Sequence, residues 1–251
     1  MQPFKYKQEI KIIMKSVGLI GFGRFGKTLA SILQKGFIVK VYDKIPNQSM
    51  HKIETVDFES ILKEEVIFIS VPIRNFKAVI KNLSDKIKGN KTIIDVCSVK
   101  KYTESIMLDY LPKNTGIIST HPMFGPDSFK DSSDLKMVMC DTRDCYNQFR
   151  YWERFFQQQN IKIIKMSSDE HDRLASNTQG ITHFLGRLLK EYDIRSTKID
   201  TKGYEALLKI VEQTCNDTWE LYTDLQSYNP YTSLMQEKFN KALKNLNEKQ
   251  K

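Results

Sequence analysis

The sequence predicts an α/β fold: a doubly wound, mostly parallel sheet followed by an all-α C-terminal domain. Three observations carry that prediction. A glycine-rich turn joins an apolar strand run to a helix near the start of the chain. Strand and helix signals then alternate with short connections as far as about residue 166. Beyond that point the apolar spacing is helical only.

Taken in order, Ser16-Val-Gly-Leu-Ile20 reads as the first strand and the helix after the turn starts near Phe25. Gly21, Gly23 and Gly26 between them have the G-x-G-x-x-G spacing of a Rossmann-type dinucleotide turn. Gly21 permits the tight turn, Gly23 lets backbone approach a pyrophosphate, and Gly26 lets helix pack on strand. Phe22, Arg24 and Phe25 complete the turn and share that border, with Arg24 able to approach phosphate. A second strand, Phe37 to Tyr42, runs into Asp43, which stands 17 residues after Gly26. An acid there can accept from the adenosine ribose hydroxyls and repels a 2′-phosphate, so NAD is the expected cofactor. Lys44 beside it leaves NADP possible.

Lys44 to Met50 reads as a loop, and Glu65 to Val71 as a buried strand stopped by Pro72. Ser70, Val71 and Pro72 therefore stand at a strand end beside the glycine turn, where the cofactor lies, as does Cys97 after the next strand, Lys91 to Val96. A helix over 75–83 separates the two. Gly116 to Thr120, Lys136 to Cys140 and Ile161 to Lys165 are further strands. The helix over 144–158 carries Phe149, Trp152, Phe155 and Phe156 at core spacing.

After Met166, Ser167-Ser-Asp-Glu170 is a capping-box signature. At 100° per residue, Leu174, Thr178, Ile181, Leu185 and Leu188 share one face of the helix that follows. Asp172, Ser176, Gln179, His183 and Arg187 share the other. Tyr204 to Gln226 reads as a second long helix, and Leu234 to Leu246 as a third. The expected organisation is an extension over 1–15, a nucleotide-binding domain over 16–166 and a helical domain over 167–251.

Composition narrows the classes. The 251 residues carry a formal charge of +9, but the lysines are scattered and no basic run is interleaved with aromatics, which argues against nucleic acid. No apolar run reaches the roughly 18 residues of a membrane span. The N-terminus has no signal-peptide pattern. Cys97, Cys140, Cys145 and Cys215 form neither a C-x-x-C pair nor a zinc spacing, so no metal is expected, and reduced thiols fit the cytoplasm.

The unusual local sequence is His121-Pro-Met-Phe-Gly-Pro-Asp-Ser128, read as a loop just after a strand. A histidine so placed is a candidate for proton transfer near neutrality. With Gly21-Phe-Gly-Arg-Phe-Gly26, Asp95-Val-Cys-Ser-Val-Lys100, Glu170-His-Asp-Arg173, Thr201-Lys-Gly-Tyr204 and Tyr228-Asn-Pro230, the chain resembles the prephenate/arogenate dehydrogenases of tyrosine biosynthesis, in their compact, plant-like branch. The resemblance covers residues 16 to 231. It implies oxidative decarboxylation of a cyclohexadienol, with His121 taking the hydroxyl proton and Ser98 holding substrate and His121 in line. It also implies substrate contacts from Gln179, His183, Thr201 and Lys202, and a homodimer formed through the helical domain.

Arg187, on the same helical face, can hold a carboxylate or stand solvated. Asp217 falls near the substrate side chain by the same resemblance, where a carboxylate would attract the ammonium of arogenate and repel the keto oxygen of prephenate. Arogenate is the favoured substrate on that ground. Glu170, His171 and Asp172 read as helix-capping residues. Two other readings keep the nucleotide turn: a hydroxyacid dehydrogenase or imine reductase, and a nicotinamide-binding sensor without turnover. The first normally needs a catalytic lysine where Gln179 and His183 stand, and the second needs neither Ser98 nor His121.

Overall fold

The structure, a computed structural model, describes residues 16–45, 53–131 and 134–249. The expected N-terminal extension and most of the 44–50 loop lie outside these residues.

Eight strands form one sheet: β1 (Ser16–Ile20), β2 (Ile38–Tyr42), β3 (Ile53–Thr55), β4 (Val66–Ile69), β5 (Thr92–Asp95), β6 (Gly116–Pro122), β7 (Leu135–Arg143) and β8 (Ile161–Lys165). Their spatial order is β3-β2-β1-β4-β5-β6-β7-β8. Every pairing is parallel except β6 with β7. Order reverses beside β1, which pairs with both β2 and β4, and in such sheets ligands bind outside the strand carboxyl ends at that point.

Helices α1 (Arg24–Leu33) and α6 (Gln148–Gln158) cover one face, and α3 (Ile73–Ser84) and α4 (Lys101–Tyr110) the other. The two-residue period of a strand divides the core accordingly. Leu19, Phe68, Ile94 and Ile118 pack under α1 and α6, whereas Ile20, Ile67, Ile93 and Ile117 pack under α3 and α4. The aromatic stripe of α6 is core, as expected. Trp152 is fully buried, edge-on to Phe68 at 4.9 Å and tilted against Phe37 at 5.2 Å. Short helices α2 (Phe58–Ile61) and α5 (Pro126–Asp131) complete this half.

Beyond β8 the described chain is helical: α7 (Ser168–Ala175), a π-helical turn over Ser176–Gly180, α8 (Ile181–Glu191), α9 (Lys202–Cys215), α10 (Trp219–Tyr228) and α11 (Thr232–Lys249). Ser167 caps α7 by accepting from the Glu170 N–H. Two sequence expectations are corrected. The helix expected over 204–226 breaks at 216–218, where Thr218 accepts from the Leu221 N–H and starts α10; no glycine or proline announces the break. His121 belongs to β6 rather than to a loop, because antiparallel pairing with β7 carries the strand on through His121 and Pro122, opposite Val138 and Met137.

The α7–α8 rod buries its polar side. Asp172, Ser176 and His183 are buried, while Leu174 and Leu188 are 43% and 45% exposed. That side is docked against the sheet's carboxyl edge, through α4, and the π-turn adds a residue to the local period. Helix α10 docks on the α3–α4 face: Arg74 grips the buried Asp224 through Nε at 2.9 Å and its backbone N–H at 3.2 Å, and Tyr228 packs on Tyr102.

Because Trp152 joins α1, α6 and the sheet, Trp152→Ala should lower the unfolding free energy by about 3–5 kcal/mol in urea titration. A loss under about 1 kcal/mol would mean that the aromatic cluster does not carry this core.

Candidate active site

The glycine turn is held by close backbone approaches. Gly21 has φ +97°, and a Cβ there would lie 2.1 Å from the Ser70 carbonyl oxygen. A Cβ on Gly26 would lie 2.3 Å from the Gly21 oxygen. Strand β1, the turn, the end of β4 and the start of α1 are therefore locked together, and only glycine fits both positions. A Cβ on Gly23 would meet no atom of the described residues within 4 Å, so that side of the turn is open. Asp43 follows β2 as expected. Its carboxylate accepts from the Phe22 N–H at 2.5 Å and from the Ile45 N–H at 2.9 Å, which fixes an acid beside the turn. These features fit a dinucleotide.

Phe22 is buried in the core, and Phe25 packs against Phe124. Arg24 reaches across to Asp127 at 2.8 Å, the Asn216 carbonyl at 3.4 Å and the Asp217 carboxylate at 3.9 Å. The glycine turn thus touches the α9–α10 connection. Ser70, Val71 and Pro72 leave β4 directly beside the turn, where the Ser70 N–H donates to the Ile20 carbonyl at 2.8 Å. The Cys97 thiol lies 3.7 Å from the Val71 carbonyl, and burial, first of all, pushes its pKa up, so it stays a thiol.

Ser98 is half-buried in the turn after β5. Asp95 pairs with Ser119 across the parallel β5–β6 ladder, and the chain leaves β5 there, so Cys97 and Ser98 follow the end of one strand while Thr120 and His121 continue the other. Under them lies a fully buried ion pair, Lys100 with Asp95, whose ammonium also donates to the Thr120 carbonyl at 2.5 Å. Burial raises the Asp95 pKa and the Lys100 charge opposes it.

His121 is 3% exposed, and its Nδ1 lies 2.8 Å from Nε2 of His171. His171 Nδ1 is in turn 2.7 Å from Oδ1 of the buried Asp172. Asp172 accepts from the Lys100 N–H at 2.8 Å and the Lys101 N–H at 2.9 Å, at the start of α4. Asn229 donates to the Asp172 carbonyl at 2.9 Å, which gives the Tyr228-Asn-Pro230 segment its place. His171 and Asp172 are thus more than capping residues. The signal was present in the polar face that carries Asp172, but a capping role explained it locally. The His121 pKa is held well below 6.5, by burial first and then by the unfavourable interaction of a second positive charge with the neighbouring His171, Lys100 and His183.

His183 and Arg187 lie one turn apart on α8. His183 is buried, with Nδ1 lacking a partner among the described residues, and its pKa is lowered chiefly by burial, with Asp217 opposing. Arg187 donates to the Asp217 carbonyl at 2.6 Å and stacks over Trp219 and Tyr222, and its buried Nε also lacks a partner. Two unsatisfied buried nitrogens, each in a cluster with Asp217, suit a polar or anionic ligand. Gln179 stands half-buried in the π-turn. Thr201 and Lys202 are not brought to this cluster. Thr201 caps the far end of α9, about 20 Å along the helix from Thr214, and both residues are exposed. Among the described residues no group of side chains has the composition of a metal site.

Residues 9–165 match the family described as "Prephenate dehydrogenase, nucleotide-binding domain", and residues 188–250 match "TYRAAT1-like, C-terminal domain". The chain is 33% identical over 246 residues to Arogenate dehydrogenase 1, chloroplastic, of Arabidopsis thaliana, covering 92% of this chain and 38% of that protein. It is 31% identical over 248 residues to Arogenate dehydrogenase 2, chloroplastic, of the same plant, covering 91% and 69%. The chain thus spans well under half of the first relative's length. A crystal structure of prephenate dehydrogenase from A. aeolicus, in complex with hydroxyphenyl propionate and NAD+, superposes with a TM-score of 0.75 at 18% identity, over 95% of this chain and 91% of that one, and so shares the fold. On its sequence and its fold, this chain belongs to the prephenate dehydrogenase family.

Proposed function

We propose that this protein is a nicotinamide-dependent arogenate/prephenate dehydrogenase that converts arogenate, in preference to prephenate, to its aromatic product by oxidative decarboxylation. The observation that carries the reading is the buried His121 at the end of β6, held by His171 at 2.8 Å and following Thr120, whose carbonyl binds the Lys100 ammonium of the segment that carries Ser98. When bound, the nicotinamide ring supplies the acceptor for the hydride leaving the ring carbon that bears the hydroxyl. His121 takes the hydroxyl proton while Ser98 holds that hydroxyl in line. The substrate's ring carboxylate leaves as carbon dioxide, and aromatisation drives the step, so the protein's task is positioning and one proton transfer.

His183 and Arg187, with Gln179 beside them, hold the substrate's anionic end, which would satisfy the two bare nitrogens. Asp217, beside His183 and Arg187, meets the side-chain ammonium of arogenate. Both plant relatives named above are arogenate dehydrogenases, which supports the same choice. Asp43 favours NAD over NADP. The division into 1–15, 16–166 and 167–251 and the cytoplasmic setting belong to this reading, as does a homodimer. The dimer is supported by exposed apolar side chains concentrated in the helical segment, among them Leu174, Leu188, Trp219 and Leu243. Among the described residues no helix is long and apolar enough to cross a membrane.

Purified protein given arogenate or prephenate with NAD or NADP should form reduced cofactor fastest with arogenate and NAD. No turnover in any combination, from folded protein that binds nucleotide, would refute the reading. His121→Asn should lower kcat by about 10²–10⁴-fold. Because the depressed pKa keeps His121 neutral through neutrality, kcat/KM should fall only as pH drops below about 6.5, where an exposed histidine would titrate. A limb centred above that pH would show that another group is the base. Asp217→Asn should reduce the arogenate-to-prephenate ratio of kcat/KM by about tenfold, and an unchanged ratio would remove Asp217 from substrate selection.

A further inference from the structure

The chain of contacts from Asp172 to His121 fixes where the protons sit. Oδ1 and Oδ2 of Asp172 each accept a backbone N–H, from Lys100 and Lys101, and a carboxylate has nothing to donate. The 2.7 Å contact to His171 therefore requires the proton on His171 Nδ1. A neutral His171 then has only a lone pair on Nε2. The 2.8 Å contact between that nitrogen and His121 requires the proton on His121 Nδ1. Nε2 of His121 is left as the basic nitrogen. The reverse arrangement, with Nε2 of His171 donating, needs a doubly protonated imidazole in the buried neighbourhood of Lys100.

We propose that His171 and Asp172 are positioning residues for the reaction, holding His121 in its Nδ1–H tautomer and sharing the charge it acquires. This rests on His121 being the base. As the substrate O–H bond breaks, its proton forms the Nε2–H bond of His121 and the oxygen keeps the electron pair. The resulting imidazolium donates through Nδ1 to His171, whose own Nδ1–H is held by the Asp172 carboxylate. The charged or titratable groups around His121 are His171 and Asp172 from α7, Asp95 from the end of β5, Lys100 from the residue before α4, and His183 from α8. Asp172 and Asp95 are the negative ones, and Asp95 is already paired with Lys100. Asp172, acting through His171, is thus the counter-charge left for a protonated His121. The two partners lie 50 and 51 residues beyond His121 in sequence, on the helical side of the chain, so docking of α7 also completes the base.

Histidine-selective 15N labelling tests the tautomer directly, because the chain has only four histidines and single His→Asn variants assign them. In the wild-type protein near neutral pH, His121 should show its proton on Nδ1 and an unprotonated Nε2. This is the opposite of the tautomer favoured by free imidazole side chains in water. His171→Leu should abolish that preference and lower kcat about a hundredfold while KM stays within about threefold. His171→Gln, whose amide oxygen can accept where Nε2 did, should keep the Nδ1–H tautomer and recover most of the lost rate.

A wild-type His121 protonated on Nε2 alone would overturn the proposal. So would His171→Leu with wild-type kcat, or leucine and glutamine variants that lose rate equally along with melting temperature. The underlying reading fails differently: His121→Asn would keep wild-type kcat whatever the tautomer.

Discussion

The Asp172 carboxylate is the constraint on which this structure depends. It is fully buried and accepts the Lys100 and Lys101 N–H groups at the start of α4 and the His171 ring from its own helix. A helix N-terminus presents donors without intrahelical partners and favours negative charge, so one acid satisfies two of them. Removing it would leave buried amides and a buried imidazole without an acceptor, the costly way to lose a hydrogen bond. Through this contact α7 is pinned to the sheet's carboxyl edge, and α8, continuing through the π-turn, carries His183 and Arg187 with it.

The Lys100–Asp95 pair beneath belongs to the same construction. Both groups are withdrawn from water, and the ammonium also binds the Thr120 carbonyl, one residue before His121. Breaking such a pair from one side strands a charge, so both partners are needed together. The segment Asp95 to Lys101 thus binds the end of β6 through Lys100 and the start of α7 through two backbone amides. Ser98 sits in the middle of it. The geometry of the site is set by buried polar contacts, while the apolar core sets the sheet.

How much was legible in the sequence follows from the range of each interaction. The glycine turn and Asp43 were readable because strand, turn, helix and acid lie within one local unit, and each glycine answers to a backbone approach. The buried strands were readable from short apolar runs. His121 was singled out by its odd neighbours, and its partners were not found, because they lie on a helix whose capping signature already explained them. The polar stripe of α7–α8 was correctly grouped, but an apolar stripe usually marks the core side, and here the opposite face is buried against other polar groups. The break at 216–218 went unseen because a threonine cap is a weak signal inside a periodic run.

Asp172→Asn, tested side by side for NAD binding and for turnover of arogenate, bears most directly on the claim that this carboxylate joins the helical half to His121, the base proposed above. The account predicts nucleotide affinity close to that of the wild type and kcat reduced by about a hundredfold or more. Nucleotide binding and kcat both at wild-type level would contradict it.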